Sequence, residues 1–539
     1  MTHSPHDAEL RAAARHFTRR RFLTVTSAAA ALAFATNLPA AHAAEADPAS
    51  ITTDPFTLGV ASGDPLPDSV VLWTRLAPVL FEPGNGLPAL AFPVSWEIAR
   101  DDRFGRVVRR GTTLAHPEFN HTVHVDVRGL DADREYFYRF RTGPWTSPAG
   151  RTRTAPPTGA DNSRVRFAVV SCQYYIQGYW TAYRHLADDD VQAVFHCGDY
   201  LYEGPVNSAG GIRAYPAGTL PDAVNHEADT LARYRLHYAL YKSDPDLRAA
   251  HAAHPFVVTW DDHETENNYA DEHGEGGVPP EEFLVRRAAA YRAYWENMPL
   301  RAPQQPDGPD MRLYRRMHFG RLAQFDVLDT RQYRSVQAPG ENWQPPHPAA
   351  FDPARSMTGD AQERWLIDGW RRSAARWNVV PQQVVFSERR DQPTPDYLCS
   401  HDSWDGYRAS RERILAGAET AGVDNLVVLT GDVHVHYGFD IKRDFTDPAS
   451  RTLGVELVGT SISSGGNGSA RPANYDRLFA SNAHLKYYNG QRGYLRVTLD
   501  PSHLRADYLT VPQVTTPGAP IAVAASYVSE AGHPGLVPG

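Results

Sequence analysis

The sequence has 539 residues, of which 42% are hydrophobic and 11% aromatic, so it is long and apolar enough for roughly two to four folded domains. Its formal net charge of −9 argues against the basic surface that nucleic-acid binding needs and suits the binding of hard cations by carboxylates. Three cysteines, Cys172, Cys197 and Cys399, are too few and odd in number for a disulfide framework, so each is a candidate ligand.

The first 43 residues are predicted to be a cleaved export signal that takes no part in the fold. Residues 18–23, TRRRFL, resemble the twin-arginine signature, and Ala41, His42 and Ala43 form a small-x-small cleavage site. The alanine-rich stretch over 24–38 is too short and too mildly apolar for a membrane anchor, which needs about 20 apolar residues. We therefore expect the twin-arginine export machinery as a partner, no stable membrane anchor, and a secreted, extracellular or cell-envelope location.

Short alternating segments separated by turn residues run from residue 50 to residue 153. They are typical of antiparallel strands, the clearest being 68–76, 92–100, 121–130 and 134–143. No group of catalytic side chains is concentrated there. We predict a small immunoglobulin/fibronectin-like β-sandwich, followed by a Pro- and Gly-rich linker.

From residue 164 to residue 523, apolar strands alternate with helical segments, which predicts an α/β domain. The strand candidates include VRFAVV, VQAVFHC, PFVVT, LAQFDV and NLVVLT. The last 25 or so residues are rich in Pro, Gly and Ala, and residues 524–539 are predicted to cross the surface as an extended tail.

Five predicted strands end in residues that are typical of metal ligands. These ends are Ser171-Cys172-Gln173, Gly198-Asp199-Tyr200-Leu201-Tyr202, Trp260-Asp261-Asp262-His263-Glu264, Asp329-Thr330-Arg331 and Gly431-Asp432-Val433-His434-Val435-His436. A single Asp after a Gly is more often a helix cap or turn residue. Ligands of α/β sheets bind beyond the carboxyl ends of the strands, so five such ends in one domain predict a shared metal site.

The five motifs, in this order, resemble those of the calcineurin-like metallophosphoesterases: D-x-H, G-D, G-N-H-(D/E), H and G-H-x-H. The segment 198–202 supplies G-D with a tyrosine three residues on, as in the purple acid phosphatases, and 260–264 and 431–436 match the later motifs. A cysteine replaces D-x-H, Asp262 replaces the asparagine, and Asp432 replaces the first histidine of the last motif.

Together with the export signal, the N-terminal sandwich and the segment DSWDGYRASRERIL, these departures identify the chain as a member of the PhoD-type alkaline phosphatases/phosphodiesterases. This resemblance implies that the α/β domain is a metallophosphoesterase αββα sandwich. It also implies two cofactors, Fe³⁺ and Ca²⁺.

The resemblance assigns the metal ligands residue by residue. The iron ligands are Cys172, Tyr202, His434 and Asp199, which would bridge to the second metal. The second site would contain Asp199, Asp262 and Asp432, and Asp261 belongs either to it or to a further calcium site. Carboxylates in place of neutral Asn and His shift the preference toward calcium and away from zinc.

The implied reaction is hydrolysis of phosphate mono- and/or diesters by attack of a metal-activated hydroxide. His263, beside Asp262, is assigned either to protonate the leaving alkoxide or steady the phosphate, or to be a hydrogen-bond partner of a ligand. Arg331 either clamps a phosphate oxygen or orients Asp329. We therefore expect phosphate ester small molecules or phospholipids as partners, and no nucleic acid.

Two other polar residues are expected to lie outside the metal centre. His436, two residues after the predicted ligand His434, is expected to be a neighbour of the ligands and not a metal ligand itself. Cys197 is expected to be packed within a buried strand, which leaves Cys172 as the iron thiolate.

Three alternative functions remain open from the sequence. A phospholipase D acting on phospholipid headgroup diesters would use the same metal centre. A zinc-dependent phosphatase or nuclease would differ in its metal, and a non-catalytic cell-surface binding protein would have an incomplete ligand set.

Overall fold

A computed structural model describes residues 44–206, 211–213, 220–340 and 342–539. The predicted export signal over 1–43 lies outside the described residues. Within the described part of the chain, no helix is both long enough and apolar enough to cross a membrane.

The strands are, in chain order, β1 (Val60–Leu66), β2 (Ser69–Arg75), β3 (Phe92–Ala99), β4 (Val107–Ala115), β5 (Thr122–Arg128), β6 (Glu135–Thr142), β7 (Trp145–Thr146), β8 (Gly150–Arg153), β9 (Val165–Val170), β10 (Ala193–Cys197), β11 (Pro255–Thr259), β12 (Arg315–Phe319), β13 (Ala323–Val327), β14 (Trp343–Gln344), β15 (Trp377–Pro381), β16 (Cys399–Ser400), β17 (Leu426–Thr430), β18 (His436–Lys442), β19 (Thr452–Val458), β20 (Leu485–Asn489), β21 (Gly493–Leu499), β22 (His503–Thr510), β23 (Ala522–Glu530) and β24 (His533–Pro538).

The α-helices are α1 (Thr181–Ala187), α2 (Leu231–Lys242), α3 (Pro245–Ala253), α4 (Pro280–Asn297), α5 (Gly359–Arg371), α6 (Arg408–Thr420) and α7 (Tyr475–Ser481). Their starts follow ordinary capping chemistry. At α3, for example, the Asp244 carboxylate accepts the N–H groups of Asp246 and Leu247 at 2.9 Å.

Two large sheets form the α/β domain. The ten-stranded sheet has the order β24-β23-β22-β21-β9-β10-β11-β1-β2-β5, and the seven-stranded sheet has the order β12-β13-β15-β17-β19-β18-β20. Strands β9, β10 and β11 run parallel in the first sheet, and β13, β15, β17 and β19 run parallel in the second. The parallel strands explain why their sequences are continuous apolar runs, because both faces of each strand are covered.

The two sheets pack face to face through aromatic side chains. Phe195 of the first sheet stacks on Phe325 of the second with ring centroids 4.5 Å apart, and Phe167 meets the same ring edge-on at 5.2 Å. The outer face of the first sheet is covered by α1 to α4 and that of the second by α5 and α6, each through its own buried cluster. This confirms the predicted αββα sandwich.

The N-terminal β-sandwich is also confirmed. It joins the α/β domain through a shared sheet, which the sequence analysis did not predict. Its core lies between β1, β2 and β5 on one side and the sheet β4-β3-β6-β7, with β8 paired to β6, on the other. Strand β1 pairs in parallel with β11 through Ser62 and Gly63, so one sheet runs continuously through both modules. A Cβ at Gly63 would lie 2.6 Å from the carbonyl oxygen of Phe256, which explains a glycine at this crossing.

The predicted extended tail over 524–539 is wrong. These residues lie in β23 and β24, which extend the ten-stranded sheet by antiparallel pairing with β22 and with each other. Pro and Gly are frequent both in the connection before β23 and in β24, HPGLVP, whereas β23 itself, AVAASYVSE, has the β-branched and aromatic residues of a strand.

Candidate metal centre

The predicted strand ends meet at one edge of the sandwich. The loops after β9, β10 and β11 come from the first sheet, and those after β13 and β17 come from the second. Two glycines allow the loops to approach closely. A Cβ at Gly198 would lie 2.4 Å from the Cβ of Asp261, and one at Gly431 would lie 2.8 Å from the Cβ of Ser171.

Four of the predicted ligands have a left-handed backbone, which non-glycine residues seldom adopt. The φ angles are 59° at Cys172, 56° at Asp199, 64° at Asp432 and 58° at His434. Each such residue costs of the order of 1–3 kcal/mol and persists only where the surrounding structure enforces it. Local backbone strain therefore accompanies the placement of these four side chains at the strand ends.

Three predicted iron ligands lie together. One ligand atom from each of Cys172, Asp199 and His434 falls within 4.8 Å of the other two. The predicted fourth ligand, Tyr202, joins them, because its hydroxyl donates to Asp199 Oδ2 at 2.9 Å and lies 3.2 Å from His434 Nε2. The structure thus brings the four side chains together; that they bind metal stays a prediction.

A second group shares one residue with the first. Ligand atoms of Asp199, Asp262 and His263 also lie within 4.8 Å of one another. Asp199 Oδ1 is buried and has no hydrogen-bond partner among the described residues. A buried carboxylate oxygen without a donor is costly, so a bridging role for Asp199 between two cations fits its surroundings.

The remaining predicted ligands, Asp261 and Asp432, lie around Arg331. The Arg331 Nε donates to Asp261 Oδ1, and its Nη2 lies 3.4 Å from Asp262 and 3.9 Å from Asp432. Asp261 Oδ2 is buried and unpartnered in the described structure. Asp261 and Asp432 are close to the second group, although neither is part of it.

The structure contradicts one of the two predicted roles of Arg331, the orientation of Asp329, and the clamping of a phosphate oxygen stays a prediction. Its side chain is 0% exposed, and its Nη1 donates to Asp402 at 2.9 Å, a residue that sequence reasoning did not assign. Asp329 accepts the backbone N–H of Arg331 at 3.0 Å and does not contact the guanidinium. The guanidinium therefore positions Asp261 and Asp402, not Asp329.

Glu203, which sequence reasoning left unassigned, holds His263. Its Oε2 lies 2.8 Å from His263 Nδ1, and its Oε1 accepts the N–H of Asn267 at 2.9 Å. Burial disfavours a charged imidazole, but Glu203, Asp262 and Asp199 together outweigh it and raise the pKa of His263 well above its ordinary value. These carboxylates therefore favour the protonated form of His263 at the edge of the centre.

Glu264 was also missed, although it ends the WDDHE motif. Its carboxylate accepts three backbone N–H groups, from Asp199 at 3.0 Å, Tyr200 at 2.8 Å and Asp261 at 2.9 Å. Burial raises the pKa of Glu264 to about 7, against the effect of these hydrogen bonds. One side chain therefore ties the loop after β10 to the loop after β11.

A loop from the second sheet completes the surroundings of Tyr202. Ser464 Oγ lies 2.7 Å from the Tyr202 hydroxyl and 2.8 Å from the carbonyl oxygen of Cys172. Arg492 donates to the carbonyl oxygen of His434 at 2.6 Å. The Gly-rich loop that contains SISSGG thus lies against the predicted ligand Tyr202.

The two residues expected outside the centre lie outside it. His436 Nδ1 accepts the N–H of Thr460 at 3.1 Å, and its Nε2 lies 3.3 Å from the carbonyl oxygen of Leu509. Cys197 is buried in the cluster between the two sheets.

The donor set suits bound cations. Burial, together with the Asp199 carboxylate, raises the pKa of the Cys172 thiol and of the Tyr202 phenol well above their ordinary values. Burial raises the pKa of Asp199 in the same way. Burial also lowers the pKa of His434 to about 3, so this imidazole is neutral and able to ligate. A cation would supply the charge that favours the ionised thiol, phenol and carboxylate.

Comparison with known proteins covers both modules. The PhoD-like phosphatase family model matches residues 167–508, and the model of the PhoD-like phosphatase N-terminal domain matches residues 41–156. Alkaline phosphatase D of Bacillus subtilis (strain 168) is 48% identical over 486 residues, which are 89% of this chain and 82% of that protein. The solved structure of PhoD matches with a TM-score of 0.87 at 47% identity, over 90% of this chain and 92% of that chain.

Proposed function

The chain belongs to the PhoD-like phosphatase family and is a phosphoric ester hydrolase, and on this premise we propose that it hydrolyses phosphate mono- and diesters at a centre of Fe³⁺ and Ca²⁺. The observation that supports this proposal most strongly is Asp199. It belongs to both ligand groups and has a buried oxygen without a donor in the described structure.

The ligand assignment follows the chemistry of the two groups. Cys172, Tyr202, His434 and Asp199 would hold the trivalent ion, because thiolate, phenolate and carboxylate balance its charge. Asp199, Asp262 and Asp432 would hold calcium, which prefers oxygen ligands. Asp261 is bonded to Arg331 and contributes only through its free Oδ2.

When bound, such a pair of ions neutralises phosphoryl charge and supplies a hydroxide for in-line attack. The protein's contribution is positioning and electrostatics, which dominate phosphoryl transfer. Glu203 holds the protonated His263 through Nδ1 and leaves Nε2 for the substrate, so His263 can donate a proton to the leaving alkoxide. Arg331 acts as a positioning residue, because its side chain is fully buried among carboxylates.

Metal analysis and a substrate panel test the proposal. We expect the purified protein to contain iron and calcium without zinc, to hydrolyse 4-nitrophenyl phosphate and bis(4-nitrophenyl) phosphate, and to lose both activities on chelation. Faster hydrolysis of phosphatidylcholine than of either ester would favour the phospholipase D alternative. Zinc in place of iron and calcium, or full activity after complete metal removal, would contradict the proposed centre.

A substitution of His263 separates its two proposed roles. We expect His263→Gln to lower kcat by about 10²–10⁴-fold for alkyl phosphates, whose leaving groups need a proton. The loss should be much smaller for 4-nitrophenyl phosphate, because its leaving group is stable as an anion. Equal losses for both substrates, with a lower metal content, would mean that His263 only supports a ligand.

We also propose export by the twin-arginine route, supported by the sequence of residues 18–23. Replacing Arg19, Arg20 and Arg21 by lysine keeps the charge but removes the arginine pair that the signature requires. The variant should remain inside the cell, whereas the unmodified chain should reach the envelope or medium, as measured by fractionation and immunoblotting. Equal export of both chains would contradict this route.

A further inference from the structure

A buried arginine beside the centre lacks a carboxylate partner in the described part of the chain. Arg389 is 7% exposed, and its Nε is buried and donates to no described group. Its guanidinium carbon lies 4.7 Å from the ring centroid of Trp343 and 5.8 Å from that of Tyr437. Its backbone N–H donates to Asp405 at 2.9 Å, which fixes the main chain but leaves the side-chain charge unpaired.

The neighbouring buried arginines are neutralised in the usual way. Arg408 and Arg411 both pair with the carboxylate of Glu388, and Arg411 also pairs with Asp405 at 2.9 Å. Their Nε atoms are unpartnered as well, so what sets Arg389 apart is that its guanidinium has no carboxylate partner among the described residues. An unpaired buried charge is costly, so it points to a binding role for an anion from outside the chain.

The two rings around Arg389 stand on segments that reach the centre. Tyr437 lies on β18, three residues after the predicted ligand His434. On the other side, Trp343 pairs with Ser400 across β14 and β16, and Asp402 follows two residues later.

One hydrogen bond connects the Trp343 side to the predicted calcium ligands. Asp402 accepts from Arg331 Nη1 at 2.9 Å, and the same guanidinium donates to Asp261. The Arg389 guanidinium therefore contacts two segments that each lead to the centre, one through Asp402 and one through His434.

We propose that Arg389, Trp343 and Tyr437 form a subsite that binds a second anionic group on the leaving group of the phosphoester. The inference rests on the proposed hydrolytic function. A guanidinium binds carboxylate and phosphate oxygens through paired N–H donors, and nearby aromatic rings stabilise its charge. Trp343 is 37% exposed, so the subsite opens to solvent past this ring.

Three aryl esters of similar shape test the subsite. They are 4-carboxyphenyl phosphate, its uncharged methyl ester, and 1,4-phenylene bisphosphate, which distinguishes a phosphate from a carboxylate preference. For Arg389→Met we expect the selectivity for either charged ester over the methyl ester, measured as a ratio of kcat/KM, to fall about 10–100-fold, the worth of one or two charge-assisted hydrogen bonds.

Two further variants make the comparison specific. Trp343→Ala, which alters a partly exposed ring, should lower the same ratio by about 2–5-fold through loss of the cation–π contact. Arg372→Met, which removes an exposed arginine at the end of α5, should leave the ratio unchanged. An equal fall in kcat/KM for the charged and the uncharged esters would overturn the subsite, because Arg389 would then only support the metal centre. An unchanged ratio in both subsite variants would overturn it as well.

A binding measurement separates this inference from the proposed function. Calorimetry with 4-hydroxybenzoate, the product of the carboxylate ester, needs no turnover. If the unmodified protein hydrolyses none of the three esters, the proposed function fails, and the subsite then stands only if Arg389→Met weakens 4-hydroxybenzoate binding by about tenfold or more. Equal binding to both proteins would overturn it.

Discussion

The arrangement of the site depends on how the charge of buried carboxylates is compensated at one edge of the sandwich. Asp199, Asp261 and Asp262 are each at most 3% exposed, and burying an ionised carboxylate costs several kcal/mol unless the charge is compensated. Arg331 and the protonated His263 supply two positive charges on the protein side. Under the proposed function, bound cations supply the remaining positive charge. The strained backbone at four predicted ligands then directs their side chains toward these cations.

A second set of acidic residues fixes the first. Glu264 binds three backbone N–H groups across two loops, Glu203 orients His263, and Asp402 orients Arg331 and also accepts from Arg334 at 2.7 Å. None of the three belongs to either ligand group. Their role is to hold the strand-end loops of both sheets in one arrangement, which is the preorganisation that phosphoryl transfer requires.

The convergence of the strand-end residues was predictable because apolar runs that stop at Asp, His or Cys are local patterns, and parallel strands place their ends together. The sandwich and the αββα layers followed from alternation and from the resemblance. The partners of Glu203, Glu264 and Arg331 were not predictable, because they depend on contacts between loops that lie far apart in the sequence. The same holds for the pairing of β1 with β11. The tail was misjudged because turn-forming residues before β23 hid a strand.

The most direct test of the metal centre compares the two buried cysteines near it. Cys172 and Cys197 are both buried, but the first lies in a ligand group and the second lies between the sheets. Iron content per chain, measured with the visible absorption of the purified protein, should fall sharply in Cys172→Ala and remain unchanged in Cys197→Ala. Full iron content and an unchanged spectrum in Cys172→Ala would contradict the account.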